Sequence, residues 1–181
     1  MIEKNRDISI QDNFLKEKEF NALRDVIATD AFPWFYFPET VDGPQIKDKE
    51  SSSGLLTHSV YHNNIPTSEF FQQFFYTFEQ LDVSVLIRVK LNLQIRNLEP
   101  DFDVFHSDMD GYSKSFQQTC MTSILYINTN NGYTEIEDGT KVDSVANRLV
   151  TFPANTKHRG ISQTDEKTRI LINFNYLKGP G

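Results

Sequence analysis

From Val83 to Asn97 the chain alternates, with Val85, Ile87, Val89, Leu91, Leu93 and Ile95 on one face and Arg88, Lys90, Asn92, Gln94 and Arg96 on the other. A helix would bring apolar residues back every three or four positions, so a period of two over this length specifies a strand. Its apolar face has to be covered by helices from elsewhere in the chain. The polar face is read as solvated. The alternative is that it lines the interior of a barrel that binds a polar ligand, which would make Asn92 and Arg96 ligand candidates.

The C-terminal half continues in the same idiom. Met121 to Asn128, Tyr133 to Glu137, Thr140 to Val145, Arg148 to Phe152 and Arg169 to Tyr176 read as short strands, separated by turn-forming Asn130-Asn131-Gly132, Asp138-Gly139, Pro153-Ala154-Asn155 and Gln163-Thr164-Asp165. Roughly six to eight short strands with turns about every 8 to 12 residues predict a double-sheet jelly roll or small barrel. Upstream, Ile8-Ser9-Ile10 is a short strand, and Phe20, Leu23 and Ile27 mark an amphipathic helix over about 17–29. Ala31 to Pro38 is aromatic and bracketed by prolines, which allows an edge strand or a packing wall but no helix. The Asp, Gly, Pro, Lys and Ser composition of Val41 to Gly54 predicts a long loop, which either serves as a lid or is disordered. Thr57 to His62 is a strand, after which Thr67 or Ser68 caps a helix whose Phe70, Phe71, Phe74, Phe75 and Phe78 form a stripe against a sheet. The expected fold is therefore mainly β, a double-stranded β-helix (jelly roll) over about 83–176, with N-terminal helical support over 1–82 in one domain spanning 1–181. Gly179-Pro180-Gly181 cannot continue a strand.

Composition narrows the function. A chain of 181 residues with 38% apolar content is long enough to bury a core, and fifteen Phe and seven Tyr favour a sheet-rich aromatic interior. The net charge of -7, without a dense Lys/Arg run, argues against binding duplex nucleic acid, whose phosphates it would repel. One cysteine, Cys120, excludes an internal disulfide and reads as a small buried apolar residue. The polar start and the lack of a long apolar run predict a soluble, cytoplasmic protein without membrane association, either monomer or homodimer.

The chemistry concentrates at Val104-Phe105-His106-Ser107-Asp108 and Lys157-His158-Arg159. On extended backbone His106 and Asp108 point to the same side, where an imidazole and a carboxylate can share one metal ion. With His158 they make two His and one carboxylate, the facial ligand set of non-haem Fe(II) oxygenases. His58 and His62 have no carboxylate at metal spacing and read as surface or substrate-pocket residues.

Taken in order, the motifs resemble the Fe(II)/2-oxoglutarate-dependent oxygenases of the prolyl 4-hydroxylase type. The matches are His106-x-Asp108, the strand Ile124 to Asn128, Gly132-Tyr133-Thr134-Glu135-Ile136, Asn147 to Phe152, His158, and Arg169 opening the strand Ile170 to Phe174. Asp12-Asn13-Phe14-Leu15 and the helix after it resemble the family's N-terminal segment, and the whole is similar to oxygenases encoded by marine phages. Asn131 and Ile136 depart from the family's pattern in a supporting strand, which touches substrate fit rather than metal binding.

The resemblance implies Fe(II) on His106, Asp108 and His158, with 2-oxoglutarate as cosubstrate, O2 as oxidant, and ascorbate allowed as an auxiliary reductant. Arg169 is the cation for the cosubstrate's 5-carboxylate, because a buried charge needs a fixed bidentate partner. Tyr126 either adds a hydroxyl to that carboxylate or packs its ring in the core. The implied reaction is hydroxylation of a prolyl residue in a peptide or protein, or of a small molecule, entering by an aromatic mouth near Trp34, Tyr36 and the 41–54 loop. Two other readings stay open: a metal-dependent jelly-roll enzyme that does not use 2-oxoglutarate, and a non-catalytic sandwich that binds carbohydrate or protein.

Overall fold

Residues 8–37 and 55–179 are described by the computed structural model of the chain. The N-terminal region supplies β1 (Ser9–Gln11), α1 (Glu17–Ile27), β2 (Phe35–Phe37), β3 (Leu55–His62), β4 (Ile65–Pro66), and a 3-10 helix (Glu69–Phe74) that runs into α2 (Phe75–Gln80). After these come β5 (Val83–Ile95), a short α3 (Lys114–Gln117), β6 (Met121–Tyr126), β7 (Tyr133–Ile136), β8 (Lys141–Asp143), β9 (Leu149–Pro153), β10 (His158–Ile161) and β11 (Thr168–Lys178). The larger sheet runs β1-β9-β6-β11-β5-β3-β2, with β4 paired to β3, and the smaller runs β10-β7-β8. All of these pairings are antiparallel. The mainly β jelly roll expected from the sequence is the fold observed. Among the described residues no helix is long and apolar enough to cross a membrane.

β11 explains why the two layers hold together. Its residues 169–176 are all buried, because each face meets a different partner. Ile170, Ile172, Phe174 and Tyr176 join Phe20, Leu23 and Ile27 of α1, Phe74, and Val89, Leu91 and Leu93 of β5 in the core beneath the helices. On the other face, Leu171 packs with Ile124, Tyr126, Val150 and Phe152 of the larger sheet and with Ile136 and Val142 of the smaller. Each large aliphatic or aromatic side chain so buried contributes about 1.5–3 kcal/mol.

Three local expectations are corrected. The polar face of β5 is not solvated: Arg88, Lys90, Asn92 and Gln94 line a cavity between the sheets, whereas Arg96 lies exposed beyond the strand. Alternation tells which residues share a face, not what lies opposite, and here the smaller sheet and the 102–112 segment close over it. The five-Phe stripe is split. Ser68 caps the 3-10 turn by accepting from the Phe70 N–H at 3.1 Å, and the tighter winding leaves Phe74 buried but Phe75 53% exposed. His158 to Ile161, left out of the strands read from the sequence because it has no alternation of its own, becomes β10 by pairing with β7. The proposed lid, 41–54, lies outside the described residues, as do Pro180 and Gly181. The Gly179 N–H donates to Asp82 O at 2.7 Å.

Candidate metal centre

The segment carrying His106 joins the edge of the smaller sheet through bridges Phe102↔Ile161 and His106↔His158. His106 and His158 exchange backbone hydrogen bonds of 3.0 and 2.9 Å, which sets their rings side by side with centroids 4.8 Å apart. Asp108, two residues on, reaches between them. His106 Nε2 is 4.0 Å from Asp108 Oδ1 and His158 Nε2 is 3.8 Å from Oδ2. One donor atom from each of the three lies within 4.8 Å of the others.

Protonation follows from the neighbours. His106 Nδ1 donates to Val104 O at 3.0 Å and His158 Nδ1 donates to Thr156 O at 3.2 Å. A carbonyl only accepts, so Nδ1 carries the proton and the Nε2 lone pairs face Asp108. Burial pushes the His158 pKa down, keeping that ring neutral. For Asp108 burial acts upward, but at the low pH where the carboxyl takes up its proton the rings are imidazolium, and attraction from His158, Arg88 and His106 and a hydrogen bond from Asn173 outweigh burial, so the carboxyl is held well below its usual range. Because His158 is neutral, its approach to Asp108 is that of two ligands rather than an ion pair. Two imidazole lone pairs and an ionised carboxylate fit a divalent transition metal.

Asp108 is itself fixed from both sides. Arg88 Nη2 donates to Oδ1 at 3.0 Å, Asn173 Nδ2 to Oδ2 at 2.7 Å, and Asn175 Nδ2 to Oδ2 at 3.4 Å. Arg88 Nε donates to Asn175 Oδ1 at 2.9 Å, and Asn175 Nδ2 also donates to Thr122 Oγ1 at 2.9 Å. Sequence reasoning missed these three residues. The available signal was polar side chains at a period of two, Asn173 and Asn175, inside the otherwise apolar β11.

The cavity, about 310 Å³, extends from the triad along β5 and β11 to Arg169, with Ile124, Leu171 and Leu55 as apolar wall. Arg169 is 1% exposed. Its Nε donates to Ser144 Oγ at 2.8 Å, Nη1 to Gln94 Oε1 at 2.9 Å and Nη2 to Thr134 Oγ1 at 3.2 Å. Burial lowers its pKa, opposed by Tyr126 and Asp103. Tyr126 stands behind it, with its ring centroid 5.6 Å from the guanidinium carbon and its hydroxyl donating to the same Thr134 Oγ1 at 2.7 Å. Gly132 is required here, since a Cβ would lie 2.8 Å from Arg169 Cδ.

The remaining sequence candidates fall elsewhere. His58 is buried, donates from Nδ1 to Pro33 O and bonds through Nε2 to Ser68 Oγ, both 2.7 Å, and packs among Phe32, Phe35 and Phe70, so it is a core histidine rather than a pocket one. His62 does line the cavity. Trp34 packs onto the core and Phe32, while Tyr36 is 69% exposed on β2. Cys120 is buried, and burial raises its thiol pKa.

No family model matches the chain, and no curated protein sequence matches it. Solved structures do. A prolyl-4-hydroxylase from Pseudomonas putida is similar with a TM-score of 0.59 at 17% identity, over 96% of this chain and 93% of that one. A prolyl hydroxylase from Trichoplax adhaerens, in complex with a hypoxia inducible factor oxygen degradation domain peptide fragment, has a TM-score of 0.62 at 12% identity, over 96% and 84%. The epimerase SnoN, in complex with Fe3+, alpha ketoglutarate and nogalamycin RO, has a TM-score of 0.57 at 12% identity, over 96% and 80%. At these identities what is shared is the fold: the chain adopts the jelly roll seen in 2-oxoglutarate-dependent oxygenases.

Proposed function

We propose that this chain is an Fe(II)- and 2-oxoglutarate-dependent oxygenase that hydroxylates a prolyl residue in a peptide or protein. The observation that carries the reading is one cavity with two chemically different ends. Two imidazole lone pairs and an ionised carboxylate converge at one end, and a buried, hydrogen-bonded guanidinium stands at the other. When bound, iron and cosubstrate supply oxidative decarboxylation to succinate and CO2, coupled to insertion of one oxygen atom of O2 into a substrate C–H bond.

The residues divide the remaining work. His106, Asp108 and His158 would hold the metal, leaving positions open on the cavity side. Arg88, Asn173 and Asn175 keep Asp108 oriented and ionised. Arg169 would receive the 5-carboxylate, where a rigid planar cation in a dry site is worth more than a mobile lysine. Tyr126 and Thr134 hold the guanidinium in place, and Ile124 and Leu171 exclude water between the two ends. No side chain has to act as general base. The prolyl reading draws on the two prolyl hydroxylases of similar fold, and the SnoN complex supports a small molecule as the second choice.

Anaerobic addition of Fe(II) and 2-oxoglutarate together should give a visible charge-transfer band that neither gives alone. Asp108→Ala and His158→Ala should each abolish it, leaving only two protein ligands. Retention of the band with normal iron content in both variants sinks the triad assignment.

A further inference from the structure

Asp103 lies along the same cavity, and nothing in the sequence reading gives it a role. Backbone pairing fixes its place: its N–H donates to Gly160 O at 3.0 Å, next to the bridge from Phe102 to Ile161. Gly160 stands between this acid and Arg169. A Cβ on Gly160 would lie 2.8 Å from Asp103 Oδ2 and 3.6 Å from Arg169 Nη1, so both charged groups close over a residue that has no side chain. Among the described residues the guanidinium donates to the neutral oxygens of Ser144, Gln94 and Thr134. A buried cation held by neutral acceptors still needs compensating charge, and Asp103, on the other side of Gly160, is placed to act on it in that sense.

We propose that Asp103 is the counter-charge Arg169 keeps when no dicarboxylate is bound, and that it thereby sets how tightly the chain holds its cosubstrate. The inference rests on Arg169 seating the 5-carboxylate of 2-oxoglutarate. An arriving carboxylate then meets the cation it needs and an anion it must approach, so part of the attraction is offset by repulsion. The same repulsion acts on succinate, which keeps that distal carboxylate after the reaction, and speeds its release. Asp103 therefore stabilises the empty site and weakens the filled one.

The test is calorimetric titration of the Mn(II)-loaded protein with 2-oxoglutarate and with succinate, together with thermal midpoints in the absence of either. Asp103→Asn, with Asp103→Ser as a second variant should the first fold poorly, is expected to bind both dicarboxylates about tenfold more tightly while melting at a lower temperature without them. A residue with only a structural role would lower the midpoint and weaken binding together. Unchanged or weaker binding in the Asp103 variants, with Arg169→Ala still impaired, overturns this inference and leaves the cosubstrate reading standing. If Arg169→Ala binds 2-oxoglutarate as tightly as the unaltered chain, both fall.

Discussion

Single residues decide the chemistry through what surrounds them. If Arg169 seats the cosubstrate as proposed, Arg169→Ala should cost 2-oxoglutarate binding about 3–5 kcal/mol, a few hundredfold or more, while iron content stays unchanged. Titration of the two ligands separately checks this, and equal loss of both would point to misfolding instead. Arg88 carries a different expectation. Its pair with Asp108 is mostly desolvated, with side-chain exposures of 21% and 4%. Arg88→Met leaves a buried carboxylate without its cation and should destabilise the metal-free protein by about 2 kcal/mol in urea unfolding with chelator present. In an Asp108→Asn background the same change should cost much less, because the charge it serves is gone. The candidate triad and Arg169 could be picked out in the sequence because of the His106-x-Asp108 spacing and because their order follows a family pattern. Arg88, Asn173, Asn175 and Asp103 were not, because an Arg on a polar strand face or an Asn in a strand carries no local mark of its partner.

At the scale of elements, most of the strands were legible and their joints were not. Asn147 shows the difference. It precedes β9 with a φ of 62°, and its side chain accepts from the Leu15 N–H at 2.9 Å and donates to Leu15 O at 2.8 Å. The Phe14 N–H also donates to Asn147 O at 3.0 Å. One residue thus ties the start of α1 to the turn before β9, and Asn tolerates the left-handed backbone that this requires. Asn147→Ala should lose about 2–3 kcal/mol of stability, and Asn147→Gly somewhat less, since glycine restores the backbone freedom but not the two hydrogen bonds. Chemical denaturation of both variants orders them; equal stability of Ala and Gly would mean the backbone conformation costs nothing here. β10 and the split 3-10 and α2 pair lay beyond sequence reasoning for a related reason: pairing to β7 made the one, and the tight turn after Ser68 changed the winding of the other.

The whole molecule places a polar cavity between two sheets and a helical layer on the far side of the larger one, so the site is carried by β5, β11 and the smaller sheet while the helices stabilise from behind. On the proposed reading, the net charge of -7 makes an extended peptide or small molecule the expected substrate rather than nucleic acid. With iron, 2-oxoglutarate and O2, proline-rich peptides should stimulate succinate release and gain about 16 Da, one oxygen atom, whereas methylated single-stranded DNA should do neither. Turnover coupled to DNA, or to free amino acids alone, removes the prolyl reading and leaves the oxygenase reading intact.

By itself the sequence determined the fold class, most of the strands, and the identity of the three metal-ligand candidates with Arg169, because alternation, turn chemistry and the spacing of His106 and Asp108 are local properties of the chain. Tertiary structure alone decided what the polar face of β5 is for. Its residues meet partners far away in sequence, Arg88 at Asp108 and Asn175, Gln94 at Arg169. Those meetings depend on the register of β5 against β11, including a shift between Asn175 and Tyr176, and on a second sheet closing over the first. Register and closure are set by the summed packing of both layers, so no short stretch of sequence encodes them.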